Sequence, residues 1–180
     1  MATPELVSVR DFTTSRYGQI ADNLDAPLND ILARAEAAVQ SQLNRRLLPQ
    51  PYVETFRPRT QTLFVHNRPI TSLTQIRRRV SFYSAWETLD LTRVVIEADP
   101  GYIQVVQPVS GFEVEVSYTA GYVTLPEDLR EAIIMQAVLF SFQDLEVYGT
   151  GDAKAPGIMY MYDDLDRILK RYKQSANVWH

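Results

Sequence analysis

Between Phe112 and Gly151 the chain passes from an alternating strand, through a glycine corner, into a proline-led apolar helix. Phe112, Val114, Val116 and Tyr118 fall on one strand face, and Glu113, Glu115 and Ser117 on the other. The corner is Tyr118-Thr119-Ala120-Gly121-Tyr122. Gly121 takes a positive φ that other residues resist, and Tyr118 and Tyr122 can pack the turn against its surroundings. Thr124 and Glu127 have capping-box spacing, and Pro126 suits a first helical turn. Residues 129–147 are then apolar on most faces, which predicts a helix buried on several sides or at a subunit contact. With the helices and strands read in the rest of the chain, this segment predicts an α+β fold.

The rest of the chain supplies partners for both elements. A short helix is expected from Pro4 to about Phe12, and a clear one over residues 27–45. In the second, Asp25 is a candidate cap, and Leu28, Ile31, Leu32, Ala35, Ala38, Val39 and Leu43 follow the helical period. Arg45 and Arg46 then suit the negative end of its dipole, and Pro49 and Pro51 stop it. Residues 52–57, 62–65 and 71–78 read as extended, with 80–83 as a continuation and 86–92 as a loop or hairpin strand. Residues 94–98 and 102–106 flank the turn signal Asp99-Pro100-Gly101. With residues 112–118 they predict an antiparallel meander with one wet face. A last helix is expected over residues 158–172, with a stripe of Ile158, Tyr162, Leu165, Leu169 and Tyr172, and residues 149–156 as a loop before it.

Composition narrows the function. The 180 residues carry a formal net charge of -4 and include no cysteine. Disulfides, cysteine metal sites and cysteine nucleophiles are thereby excluded, as suits synthesis in a reducing cytoplasm. Mild acidity argues against a broad nucleic-acid surface, and fits a surface past which DNA slides without sticking. Met1 is followed by polar residues rather than an apolar signal core. The most apolar run, residues 132–142, is interrupted by Gln136 and Ser141 and is too short to cross a bilayer.

Chemistry-bearing residues are sparse, and no cofactor, metal or catalytic set emerges. The two histidines, His66 and His180, lack metal-ligand spacing, so His66 reads as a strand-end residue and His180 as a terminal one. Glu113 and Glu115 share a strand face, but alternation alone predicts polar residues there. Asp163, Asp164 and Asp166 lack the glycine and final glutamate of a calcium loop, and helix-start acidity explains them better. Gly149-Thr150-Gly151 lacks the lysine of a phosphate loop. Arg77, Arg78 and Arg79 form the most basic run, but the middle side chain points opposite to its neighbours. A charge-guarded sheet edge is the preferred account. Met159, Tyr160, Met161 and Trp179 place apolar groups near one terminus, which tilts the reading toward a protein contact surface.

The order of parts resembles the head-to-tail connector (adaptor) proteins of tailed bacteriophages. The resemblance rests on Tyr118-Thr119-Ala120-Gly121-Tyr122, on Pro126-Glu127-Asp128-Leu129 and on Asn67-Arg68-Pro69-Ile70-Thr71-Ser72-Leu73. It rests also on a first long helix ending in Leu43-Asn44-Arg45, and covers most of residues 25–172. It implies one connector domain over residues 1–173: a first long helix in 25–48, a β region in 52–118 and closing helices in 124–173. Residues 174–180 would form a C-terminal tail. The expected fold is a bundle of three to four helices with an inserted antiparallel meander. The implied function is a non-enzymatic virion protein, in a ring typically of about twelve copies, docked beneath the capsid portal and extending the DNA channel. Portal contact would fall on Leu165, Leu169, Tyr172, Val178 and Trp179. Neck or tail proteins would bind beyond, with no membrane and no specific DNA binding. The longer β region, residues 80–108, departs from shorter members. Rival readings are another neck or tail-completion ring that binds tail protein, a DNA-binding regulator using Arg77–Arg79, and a small hydrolase using Glu113 or Glu115.

Overall fold

In the computed structural model, which describes residues 6–19, 28–147 and 156–173, the first helix is Val9–Thr14 (α1). It begins later than expected because Ser8 caps it. Ser8 Oγ accepts the Asp11 N–H at 3.2 Å, and Asp11 Oδ2 accepts the Ser8 N–H at 2.9 Å. The second helix, Leu28–Leu43 (α2), buries Ile31, Leu32, Ala35, Val39 and Leu43, the expected stripe. Its buried Glu36 carboxylate accepts the Leu6 and Val7 N–H groups at 2.8 Å each, tying the N-terminal segment to this helix.

The end of α2 corrects the dipole expectation. Asn44 adopts φ +53°, Arg45 N–H donates to Gln40 O at 3.2 Å and Asn44 N–H to Ser41 O at 3.1 Å. This is a Schellman termination, with asparagine in the left-handed position more often held by glycine. Arg45 and Arg46 therefore lie beyond the helix, whose last turn holds no cation. The expected Asp25 cap and Pro27 lie outside the described residues.

Seven strands follow: Gln50–Phe56 (β1), Thr62–Phe64 (β2), Ile70–Arg79 (β3), Glu87–Thr88 (β4), Val94–Glu97 (β5), Tyr102–Val105 (β6) and Glu113–Ala120 (β7). They form two antiparallel sheets, a four-stranded one in the order β1-β7-β3-β4 and a three-stranded one in the order β2-β6-β5. The predicted meander is thus half right. β5 and β6 do pair as a hairpin, with Val94 opposite Val105 and Glu97 opposite Tyr102. β7 cannot join them, because β2 and β5 already occupy both hydrogen-bonding edges of β6. It crosses instead into the other sheet, between β1 and β3. β3 ends at Arg79, so residues 80–83 do not prolong it; they turn the chain back for β4 to pair Glu87 with Arg78. Along β7 burial alternates as predicted, with Val114, Val116, Tyr118 and Ala120 inward. They join Leu63, Ile76, Ile103, Val105 and Val109 in the β core.

The remaining helices are Glu127–Val147 (α3) and Pro156–Tyr172 (α4). α3 starts with the Pro126 carbonyl accepting the Arg130 N–H at 3.0 Å, so Thr124 stands too early to cap it. Leu129, the run from Ala132 to Leu139, and Ser141 are all buried, which leaves α3 no polar face there. It packs on α2 and α4, and α2 and α4 also touch. Ser141 Oγ satisfies itself by donating to Ala137 O at 2.9 Å.

The chain is therefore α+β, with four α-helices and two antiparallel sheets among the described residues. It divides into two compact units. The helical unit comprises Met1–Arg45 and Leu125–His180, and the β unit comprises Arg46–Thr124.

Candidate functional site

The glycine corner is closed by its neighbours in the β unit. Gly121 adopts φ +137°, and a Cβ there would lie 2.5 Å from Leu48 C and 2.6 Å from Pro49 N, with Leu48 O nearer still. No side chain fits. Gly121 N–H donates to Pro69 O at 2.9 Å and Tyr122 N–H to Leu47 O at 2.7 Å. The Asn67–Leu73 segment and the corner, far apart in sequence, are thus one structural feature. Tyr118 is buried beside Tyr52, with ring centroids 5.8 Å apart, while Tyr122 is half-buried.

A polar cluster that the sequence did not disclose sits over this corner. Glu54 on β1 accepts hydrogen bonds from the Tyr118 hydroxyl and from Asn67 Nδ2 at 3.2 Å. It also meets His66, through the backbone N–H at 3.1 Å and through Nδ1 at 2.6 Å. Asn67 N–H donates to the Tyr118 hydroxyl at 3.2 Å. Burial, and then the Glu54 carboxylate, push the Tyr118 phenol well above its ordinary ionisation range. His66 is indeed a strand-end residue, 81% exposed, stacked on Phe56 and held by a carboxylate. The cluster ties β1, the segment after β2 and the end of β7 together, which braces the corner. Residues separated by 12 to 64 positions make it, and no local signal reveals such a set.

The arginine run lies on β3, which is flanked by β7 and, at its far end, by β4, so it is not the guarded edge expected. Its side chains do alternate. Arg77 Nε donates to Glu115 at 2.6 Å, and Arg79 donates to both Glu113 oxygens at 3.1 and 3.0 Å. Arg78 points the other way, to Glu87 at 2.9 Å and to the Pro108 carbonyl. Trp86 lies under two of these cations, its ring 4.9 Å from the Arg77 guanidinium and 4.4 Å from that of Arg79. Arg78 stacks on Phe112 at 4.6 Å. Glu113 and Glu115 are therefore counter-ions of the run rather than a solvated row. Their hydrogen bonds from arginine hold Glu113 and, through Arg78, Glu87 below the usual carboxylate range.

On α4, Leu165 and Leu169 are 4% and 5% exposed, as is neighbouring Ile168 at 5%, so their apolar surface is used inside the chain. The Tyr172 hydroxyl donates to Asp128 at 2.5 Å. On the same helix Tyr160, on the opposite side, is exposed, and so is Tyr162, which the expected stripe placed with Leu165 and Leu169. Asp163, Asp164 and Asp166 are mid-helix, seven or more positions after Pro156, which corrects the helix-start account. Their partners explain two of them: Arg167 meets Asp164 at 2.8 Å, and Lys170 meets Asp166 at 2.5 Å. Among the described residues no cluster of acidic and histidine side chains can hold a metal, and no helix is long and apolar enough to cross a membrane. Val178, Trp179, His180 and Gly149-Thr150-Gly151 lie outside the described residues.

The fold is α+β, and its polar side chains pair with one another around the glycine corner and along β3 and β7. The chain belongs to the head completion protein family, whose description matches residues 5–149. Solved structures share the fold. The neck of an empty gene transfer agent particle, computed with C6 symmetry, aligns at TM-score 0.57 and 20% identity, covering 100% of this chain and 99% of that one. The neck of the native particle, computed with C12 symmetry, aligns at 0.53 and 21%, covering 100% and 99%. A chain of the native gene transfer agent virion aligns at 0.54 and 20%, covering 100% and 96%. No curated protein matches the sequence.

Proposed function

We propose that the protein is a structural, non-enzymatic component of the neck of a tailed-phage-like particle. In this reading it forms a ring that joins the capsid portal to the tail and extends the DNA channel. The observation that carries it is the family match over residues 5–149, supported by a fold shared with gene transfer agent neck chains along the whole length of this one. A twelvefold ring is the proposed symmetry, that of the native neck reconstruction. The formal charge of -4 suits a channel wall that does not hold DNA. Synthesis in the host cytoplasm, followed by docking on the portal, completes the scheme.

Portal contact is proposed for the C-terminal segment, with Val178 and Trp179 reaching the portal. Leu165, Leu169 and Tyr172 hold α4 in place behind them. Many weak contacts repeated around a ring supply the avidity. The test is native mass spectrometry of the chain with and without the portal ring from the same genome. A complex with one copy per portal subunit is expected, and a chain lacking residues 174–180 and still fully folded should dock less. Unchanged docking by the truncated chain removes the tail from the contact. Binding to tail protein alone, with the portal ignored, favours a tail-completion ring instead. The regulator reading is disfavoured because all three arginines of the run are occupied by carboxylates.

A further inference from the structure

Two surfaces of the β unit are complementary in charge and lie at opposite ends of the four-stranded sheet. The first is an open depression of about 600 Å³ where β1 and β3 end and β7 begins. Arg57 and Arg59 line it together with Phe82. Arg57 is 82% exposed, and Arg59 is exposed with its backbone carbonyl engaged by Ser110 Oγ at 3.1 Å. Glu113, the acidic residue of the lining, is already bound by Arg79 and stands 4.0 Å from Arg57, so the depression presents excess positive charge. Phe82 is 72% exposed, and adjoining Tyr83 is 96% exposed.

The second surface is the outer strand of the small sheet and its turn. β5 is an edge strand with Ile96 exposed, and Glu97 and Asp99 follow, both exposed. Arg68 reaches the Pro100 carbonyl of this turn at 3.4 Å, so one cation stands beside the segment that carries the two acids. The turn is fixed at the start of β3: Ile70 N–H donates to Ala98 O at 3.0 Å and Val65 N–H to Gly101 O at 2.9 Å. The depression is at the other end of β3. Ten residues of strand, at ~3.3 Å each, separate the two surfaces by roughly 30 Å.

We infer that the basic, aromatic depression at Arg57, Arg59 and Phe82 receives the acidic β5–β6 turn at Ile96, Glu97 and Asp99 of a second copy of this chain. The inference rests on the ring reading and deepens it. A closed ring needs a heterologous contact, two different matching surfaces on every copy. Surfaces of opposite charge at opposite ends of the β unit meet that need, and they cannot satisfy each other within one chain.

The chain has no cysteine, so crosslinking reads the contact directly. The double variant Arg59→Cys, Asp99→Cys is oxidised with and without the portal ring. Its two thiols are too far apart to close within a chain, since a disulfide needs Cα atoms within about 7 Å. A ladder of multiples of the chain mass is expected from the double variant, and monomer from each single variant. Dimers from a single variant would reveal a symmetric contact and overturn the inference. So would a double variant that stays monomeric while native mass spectra count a ring on the portal, and in that case the ring reading stands. Wild-type chain that forms no ring takes down both. Independently, Arg59→Glu and Asp99→Arg should each raise the concentration needed for assembly at least tenfold. Mixing the two variants should restore it, because each altered surface then meets its complement. A mixture as impaired as either variant alone overturns the pairing.

Discussion

At the scale of single residues, two positions in the corner make sharp predictions. Gly121→Ala puts a methyl into Leu48 and Pro49 backbone at a positive φ, so a loss of more than ~3 kcal/mol is expected. Urea unfolding followed by circular dichroism measures it; a variant within 1 kcal/mol of wild type, on the order of an ordinary surface change, would mean the corner can open. Tyr118→Phe leaves Glu54 without its hydroxyl donor and the Asn67 N–H without an acceptor. A cost of about 1–2 kcal/mol is expected, with the ring packing kept. The raised phenol also has a pH signature. Stability contributed by the protonated hydroxyl is full below the unfolded tyrosine pKa of about 10 and falls as pH rises beyond it. Alkaline titration of stability should therefore show a steeper fall in wild type than in Tyr118→Phe. The glycine was legible from its motif. The Glu54 cluster was not, because a carboxylate on one strand says nothing of a tyrosine 64 positions away.

At the scale of elements, the paired charges of β3 and β7 set an acid limit. Glu113 and Glu87 are held below their ordinary carboxylate value of 4.5 by arginine hydrogen bonds. A depressed carboxyl contributes stability above its unfolded pKa and loses it as pH falls through the folded one. The β unit should thus hold its stability down to about pH 4.5 and weaken below. Trp86, stacked on Arg77 and Arg79, should report this by fluorescence. Glu113→Gln should flatten the acid limb, and an unchanged limb would show that these pairs are not its source. Helix termination offers another check. Asn44→Gly keeps the left-handed cap and should be neutral within about 0.5 kcal/mol, whereas Asn44→Val should cost about 1 kcal/mol or more. Helices and strands were legible here because their periods are local. Strand partners were not: residues 112–118 showed their inward face correctly, yet nothing in them said that both edges of β6 were already taken.

At the scale of the whole molecule, the acidic balance and the occupied arginines predict little affinity for nucleic acid. Mobility-shift titration with duplex DNA at physiological salt should give no complex, and tight binding that collapses steeply with salt would revive the regulator reading. The sequence by itself determined the α+β class, the α2 stripe, the inward face of β7, the irreplaceable glycine and the family resemblance. All but the resemblance depend on residues close together in the chain, where backbone sterics and side-chain period act directly, and the resemblance adds only the order of such local motifs. Only the tertiary structure decided the rest. It split the strands into two sheets, turned Glu113 and Glu115 into counter-ions of an arginine run, buried Leu165 and Leu169, and set a basic depression and an acidic turn at opposite ends of the β unit. Those outcomes depend on which distant segments win each hydrogen-bonding edge and each patch of apolar surface, a competition settled across the whole chain.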